Sequence, residues 1–129
     1  MLDTNIVSDL IRNPAGKTAA RLRVVGETGL AVSIVTAAEL RFGAAKSGSR
    51  RLLDRIEAIL EALVVLPFDV PADAEYASVR VELESAGTPI GPNDLLIAAH
   101  ARSLGTTIVT ANTAEFGRVR GLTVENWLA

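Results

Sequence analysis

Three carboxylates stand where short strands give way to helices. Asp3 sits at the C-terminal edge of a very short first strand, Glu39 in the first turn of a helix that opens at Thr36, and Asp94 in the first turn of a helix that opens at Pro92. Ligands of an open parallel sheet bind beyond the carboxyl ends of its strands, and the helices that follow those strands begin at the same edge. The three acids are therefore expected to converge. Carboxylates gathered in an apolar setting are costly and repel one another, so a cluster without basic partners calls for a divalent cation. With no cysteine and a single histidine, His100, thiolate and multi-imidazole sites are excluded, which leaves a hard, oxygen-ligated ion: Mg²⁺ or Mn²⁺. Each acid also has a structural alternative. Asp3 could belong to a capping turn, Glu39 could return a capping-box bond to Thr36, and Asp94 could simply complement the helix dipole. His100 lies six residues beyond Asp94 and faces another way, so it reads as a packed or surface histidine rather than a proton shuttle.

The elements that must position these acids are legible as an alternation. Short runs rich in Val, Ile and Thr at 30–33, 63–66, 107–110 and 122–124 read as strands, with segments of helical period between most of them. The first helix is expected from Thr4 as N-cap to about Arg12. The second restarts at Asn13-Pro14 and runs to about Val25, the third opens at Thr36, the fourth spans roughly 50–61, and the fifth begins near Pro71 and ends at Glu84. In the sixth, Pro92 suits the first turn, Leu95, Leu96, Ala98 and Ala99 give an apolar face, and Gly105 closes it. This order implies an α/β fold with a mainly parallel sheet.

Composition narrows the class. The 129 residues are 49% hydrophobic and 22% charged, enough for one packed core, with no linker, repeat or low-complexity tract that would mark a domain boundary. No apolar run is long enough to span a bilayer and no export signal opens the chain, so a cytoplasmic protein without membrane contact is expected. The net charge of −2 argues against nucleic-acid binding by bulk attraction, but the charge is segregated. Residues 1–53 hold eight basic side chains against four acidic, residues 54–84 two against eight, and residues 85–129 three against three. Arg12, Lys17, Arg21, Arg23, Arg41, Arg50 and Arg51 lie in the basic part, where they could steer RNA or form an ordinary solvated face.

Four segments in order resemble the motifs of PIN-domain ribonucleases, and within them the VapC toxin branch of bacterial toxin–antitoxin systems. They are Leu2-Asp3-Thr4-Asn5-Ile6, Thr36-Ala37-Ala38-Glu39-Leu40-Arg41-Phe42-Gly43, Asn93-Asp94-Leu95-Leu96-Ile97-Ala98-Ala99, and Ile108-Val109-Thr110-Ala111-Asn112-Thr113-Ala114-Glu115-Phe116. The resemblance covers essentially the whole chain. It implies a single PIN domain over residues 1–129, a three-layer α/β/α sandwich with a mainly parallel central sheet. It also implies a Mg²⁺- or Mn²⁺-dependent endoribonuclease, a homodimer, and inhibition by a VapB-type antitoxin, with the apolar surplus assigned to the dimer interface and an antitoxin groove. Carried over by motif, Asp3, Glu39 and Asp94 match the metal-binding acids. Thr4, Asn5, Thr110 and Arg41 fall on the substrate side.

Two departures follow from that resemblance. Where many PIN nucleases carry a fourth acid this chain has Asn112, which can ligate through its carbonyl but brings no charge, and Glu115 is the nearby replacement. Asn112 is accordingly counted with the catalytic residues and Glu115 with the metal ligands. Only Met1 and Leu2 precede Asp3, so an upstream extension by two or three apolar residues is expected to stabilise the first strand. The competing reading is a non-catalytic PIN domain that binds RNA or an antitoxin with a degenerate acid set. A haloacid-dehalogenase-type phosphatase would need a second Asp where Asn5 stands, and a nucleotide-binding module would need a glycine-rich loop that does not occur.

Overall fold

A computed structural model describes residues 1–26 and 29–129. Its elements run α1 (Thr4–Arg12), α2 (Lys17–Val25), β1 (Ala31–Ser33), α3 (Ile34–Ser47), α4 (Arg50–Ala62), β2 (Val64–Leu66), α5 (Ala72–Ser85), α6 (Pro92–Leu104), β3 (Ile108–Val109), α7 (Thr113–Phe116) and β4 (Val124–Glu125). β1 pairs in parallel with β2, Val32 opposite Val65, and β3 pairs in parallel with β4, Ile108 opposite Val124. Residues 1–3 stitch the two pairs together. Leu2 N donates to Ala31 O at 2.8 Å, Asp3 N to Val109 O at 2.9 Å, and Val109 N to Met1 O at 2.8 Å. The lateral order is thus β4, β3, residues 1–3, β1, β2. The chain winds outward from residues 1–3 in one direction and later in the other, so Asp3 lies at the switch point of the sheet, where an open α/β fold binds its ligands.

Alternation along the short strands divides the interior between two faces. Leu2, Val32 and Val109 face one core with Ile6, Leu40 and Trp127, while Met1 and Ile108 face the other with Val79, Ile97 and Phe116. Helices cover both faces, which makes three layers. Full burial of a side chain such as Leu2 or Ile6 is worth roughly 1.5–3 kcal/mol, so strands this short are held by packing more than by their ladders.

Helix starts differ from the sequence expectation where a cap lies further upstream. α3 begins directly after β1, capped by Ser33, whose Oγ accepts from Val35 N at 3.1 Å. Thr36 is therefore buried inside the first turn, Glu39 moves to the second turn, and the expected capping box between them does not form. Asp3, not Thr4, caps α1, its carboxylate accepting from Thr4 N at 2.8 Å. Asn13 ends α1 instead of starting α2, because its side chain and backbone both bond back to Asp9, and α2 opens after a turn at Gly16. α6 follows expectation at both ends, with Pro92 in the first turn and Gly105 in the left-handed region at φ 62°. Its buried face is wider than expected and includes Ile97, His100 and Ala101, because α6 lies between the sheet, α3 and α5.

Candidate active site

The switch point brings the sequence-predicted acids to one edge, joined through hydroxyls and amides. Asp3, only 2% exposed, is fixed by Thr4 N, by Asn5 Nδ2 at 3.0 Å and by Thr110 Oγ1 at 2.8 Å. Thr110 in turn accepts from Asn112 N at 2.9 Å, and Asn5 Oδ1 accepts from Ala111 N at 2.9 Å, which ties the end of β3 to the start of α1. Glu39 accepts from Thr4 Oγ1 at 2.6 Å and from Asn93 Nδ2 at 3.3 Å. Asn112 Nδ2 donates to Asp94 at 3.0 Å and to Glu115 at 2.8 Å. Nine side chains, drawn from the N-terminal segment, α1, α3, α6, the segment after β3 and α7, thus form one network with Thr36, whose hydroxyl lies 3.3 Å from that of Thr4.

The electrostatics of this edge are unfavourable as they stand. Among the described residues no ion pair reaches Asp3, Glu39, Asp94 or Glu115. Burial pushes the Asp94 carboxyl up to about 7, reinforced by its hydrogen bond to Glu115 and by the charges of Asp3 and Glu115, against the opposing Asn112 amide. Glu115 is held below its ordinary value by the same bond, with Asn112 adding to it. The two carboxyls therefore share a proton, and their titration belongs to the pair. Burial also raises Asp3, chiefly opposed by the Thr110 hydroxyl.

Among the described residues no three carboxylate or imidazole groups are drawn together tightly enough to hold an ion by themselves. The donor set nevertheless fits a hard cation: it is all oxygen, it carries more negative charge than its amide and hydroxyl donors neutralise, and it opens at a sheet edge. Mg²⁺ in particular takes one or two carboxylates directly and keeps much of its water.

The remaining predicted residues are placed as follows. Thr110 is fully buried behind Asp3, so its hydroxyl orients the acid. Arg41 is outside the network, clamped by Glu57 of α4 at 2.8 and 3.1 Å. Sequence reasoning missed the role of Asn93, which stands beside Asp94 in the motif and bridges to Glu39. It also misread Thr36 as a cap. His100 is packed, as expected, 2% exposed against Phe68 with Nδ1 2.8 Å from Ser33 Oγ, and burial lowers its pKa.

A switch-point cluster of this kind on a three-layer sandwich defines a class. The chain belongs to the PIN domain family, which residues 1–122 match. Within it the chain is similar to VapC ribonucleases. It is 42% identical to the tRNA(fMet)-specific endonuclease VapC of Shigella flexneri, over 98% of this chain and 96% of that one. It is 40% identical to Ribonuclease VapC2 of Haemophilus influenzae, with coverages of 99% and 97%. The fold superimposes on DNA-bound VapBC from Salmonella typhimurium with a TM-score of 0.91 at 37% identity, covering 98% of this chain and 96% of the other.

Proposed function

We propose that this chain is a Mg²⁺- or Mn²⁺-dependent endoribonuclease, the toxin of a type II toxin–antitoxin pair, with residues 1–129 forming one catalytic domain. The nuclease class follows from the family. The observation that carries the metal-dependent reading is the cluster of carboxylates at the switch point without an ion-pair partner among the described residues, where burial and the neighbouring acids push Asp94 up to about 7.

Asp3 and Asp94, with Glu39 and Glu115 directly or through water, would hold the metal. The ion supplies Lewis-acid stabilisation of the phosphorus oxygens and a water acidified for attack. The chain's own contribution is orientation. Thr4 N, Asn5 and Thr110 fix both oxygens of Asp3, so the acid meets its ligand in one geometry at little further entropic cost. Thr4 and Asn93 hold the two oxygens of Glu39. Asn112 holds Asp94 and Glu115 together and leaves its carbonyl oxygen for a water or a substrate contact. Asp94 and Glu115 would hold a cation only in their deprotonated forms, so binding would be favoured as pH rises through the raised Asp94 value.

RNA is the substrate in this proposal, in keeping with the names of the VapC relatives, and a VapB-type antitoxin is the protein partner, in keeping with the VapBC complexes of the structural neighbours. A homodimer completes the reading. The deciding experiment is incubation of purified protein with total RNA in Mg²⁺, Mn²⁺ or EDTA, beside Asp3→Asn and Asp94→Asn. Discrete fragments that need metal and vanish in both variants are expected, and their ends map the cleavage site. No cleavage by folded, antitoxin-free protein under either metal would move the chain to the binding-only PIN reading.

A further inference from the structure

A histidine that is 2% exposed is a costly way to fill a core, since both of its ring nitrogens must find partners. His100 finds them at the ends of two neighbouring strands. Its Nδ1 lies 2.8 Å from Ser33 Oγ, at the end of β1, and its ring is hydrogen-bonded by the Pro67 backbone, one residue past β2. β1 and β2 pair in parallel with Ser33 opposite Leu66, so both partners stand at the carboxyl edge of the sheet, where the acids gather. Proline offers only a carbonyl, so the ring donates there; Nδ1 is left to accept from the Ser33 hydroxyl, which itself accepts from Val35 N at 3.1 Å. Packing alone does not ask for this. A phenylalanine of similar size would also meet Phe68, whose ring centroid lies 5.4 Å away, edge to face.

Ser33 is the cap of α3. The turn it starts carries Thr36, with its hydroxyl 3.3 Å from that of Thr4, and leads to Glu39, which accepts from Thr4 Oγ1 at 2.6 Å. His100 belongs to α6, whose first turn carries Asp94. The buried bond therefore runs from the helix of one acid to the cap of the helix that bears another. Asn93 Nδ2 also spans α6 and α3 by reaching Glu39, but at 3.3 Å and in contact with solvent, where water competes for both groups. We propose that His100 is a positioning residue, a buried strut that fixes the first turns of α3 against α6 so that Glu39 and Asp94 keep the arrangement a shared cation needs. The proposal rests on the metal-dependent reading of this site and extends it to a residue that touches neither the ion nor the substrate. Only a neutral ring offers Nδ1 a lone pair, and burial, which lowers the pKa of His100, keeps it in that form.

The test compares two replacements in full-length protein that fail in opposite ways. His100→Phe keeps the bulk and loses the bond; His100→Asn loses bulk but presents an amide oxygen where Nδ1 stood. Mn²⁺ binding is titrated by EPR, which counts the free ion. His100→Phe is expected to weaken binding about tenfold and His100→Asn by about twofold at most, the low end of what groups outside the ligand shell contribute. Amide hydrogen exchange of the metal-free protein gives the second reading. Ala38, Glu39 and Leu40, which close the first turn of α3, should exchange about tenfold faster in His100→Phe, while Ala44, Ala45 and Lys46 near its end keep the wild-type rate. Either the same loss of Mn²⁺ affinity in both variants, or faster exchange spread evenly along α3, overturns the strut and makes His100 a packing residue. His100 is the one histidine of the chain, so imidazole nitrogen shifts of labelled wild-type protein read it directly, without any variant, should His100→Phe not fold. A neutral ring with its proton on Nε2 is expected at neutral pH, and a proton on Nδ1 overturns the proposal. Wild-type protein that binds no Mn²⁺ would count against the metal reading of the site, and exchange at Ala38, Glu39 and Leu40 would still decide the strut.

Discussion

Helix α6 carries an ionic cluster at each end, and the two are neutralised in different ways. Near its C-terminus Arg102 lies between two acids of α5, its Nε 2.6 Å from Glu75 and its Nη1 2.9 Å from Glu82, with Ser78 and the Arg120 carbonyl taking further donors. A planar guanidinium meets two carboxylates, so one negative charge is left over but each acid has a direct cationic partner. At the N-terminus Asp94 and Glu115 meet the Asn112 amide and each other without an ion pair, Glu115 is eased further by the Gly91 backbone and the charge of Arg118, and Asp3 stands close enough to raise Asp94 further. The first arrangement is complete as it stands and fastens α5 to α6. The second is stable only at a cost, and a cost retained at a sheet switch point marks a site built for something outside the chain.

The comparison breaks first, and most visibly, in activity. Asp94→Asn and Asp3→Asn are expected to lower the metal-dependent cleavage rate by about 10²- to 10³-fold or more, the scale of losing an electrostatic contact to the transition state. Metal-free Asp94→Asn should be as stable as wild type or more so, because a repelling carboxyl becomes an amide. A thermal scan with and without Mg²⁺ checks both halves. A lower metal-free midpoint with an unchanged response to Mg²⁺ would make Asp94 a structural cap.

At the other end of α6 the same kind of change has the opposite sign. Arg102→Met leaves Glu75 and Glu82 facing each other without their cation. Their side chains are 33% and 38% exposed, so solvent screens part of the loss, and a destabilisation of about 1–3 kcal/mol is expected, below the full range for a buried pair. Urea unfolding measures it. Cleavage below the shifted midpoint should be retained, since Arg102 touches none of the acids at the edge.

The two ends of α6 were not equally legible in the sequence. Pro92, Asp94 and Gly105 announced the helix and placed Asp94 in its first turn, because helix ends are written in local chemistry. The Arg102 cluster depends on α5 and α6 lying side by side, which no local pattern states. The same contrast explains Thr36 and Glu39. A Thr followed three residues later by Glu satisfies the capping-box pattern, yet β1 passes into α3 with no linker, so Ser33 takes the cap and Thr36 is carried into the interior. Glu39 still reached the edge, because the start of α3 is tied to the end of β1. Arg41 reads as substrate-facing from its charge and its place in the basic part of the chain, while its partner Glu57 comes from α4 and only the fold brings the two together. Four-residue α7 was missed because a single turn has no period to detect.

Stability against pH sharpens the contrast further. A carboxyl raised to about 7 binds a proton more tightly in the folded chain than in the unfolded one, so its contribution declines as pH rises from about 4 to about 7 and stays low above that. Buried His100 acts the other way: its folded pKa is lowered, so its contribution is complete above the ordinary histidine range and is lost as pH falls below it. Subtracting the Asp94→Asn curve from the wild-type curve isolates the acid cluster. The metal-free difference should favour wild type by about 1–2 kcal/mol more at pH 5 than at pH 8, after allowance for solvent at a partly exposed site. Saturating Mg²⁺ should shrink or reverse that trend, since the ion binds the deprotonated form. A flat difference would mean that Asp94 and Glu115 share no proton.

The smallest change tests why the site tolerates an amide at its centre. Asn112 donates to both Asp94 and Glu115, so Asn112→Asp removes two stabilising bonds and adds a further carboxyl beside Asp3, Asp94 and Glu115. Without metal, the midpoint should fall by a few degrees, corresponding to about 1 kcal/mol in a chain of this size. With metal the sign reverses: the added carboxylate supplies a ligand where the amide supplied only a carbonyl oxygen, and the Mg²⁺ concentration for half-maximal cleavage should drop by about tenfold. The two measurements must move in opposite directions, because one interaction, repulsion among the acids, is what destabilises the free edge and what the cation relieves. If Asn112→Asp weakened both metal response and metal-free stability, the amide would be a ligand in its own right. The acid cluster would then be held for Asn112's carbonyl as much as for its own charge.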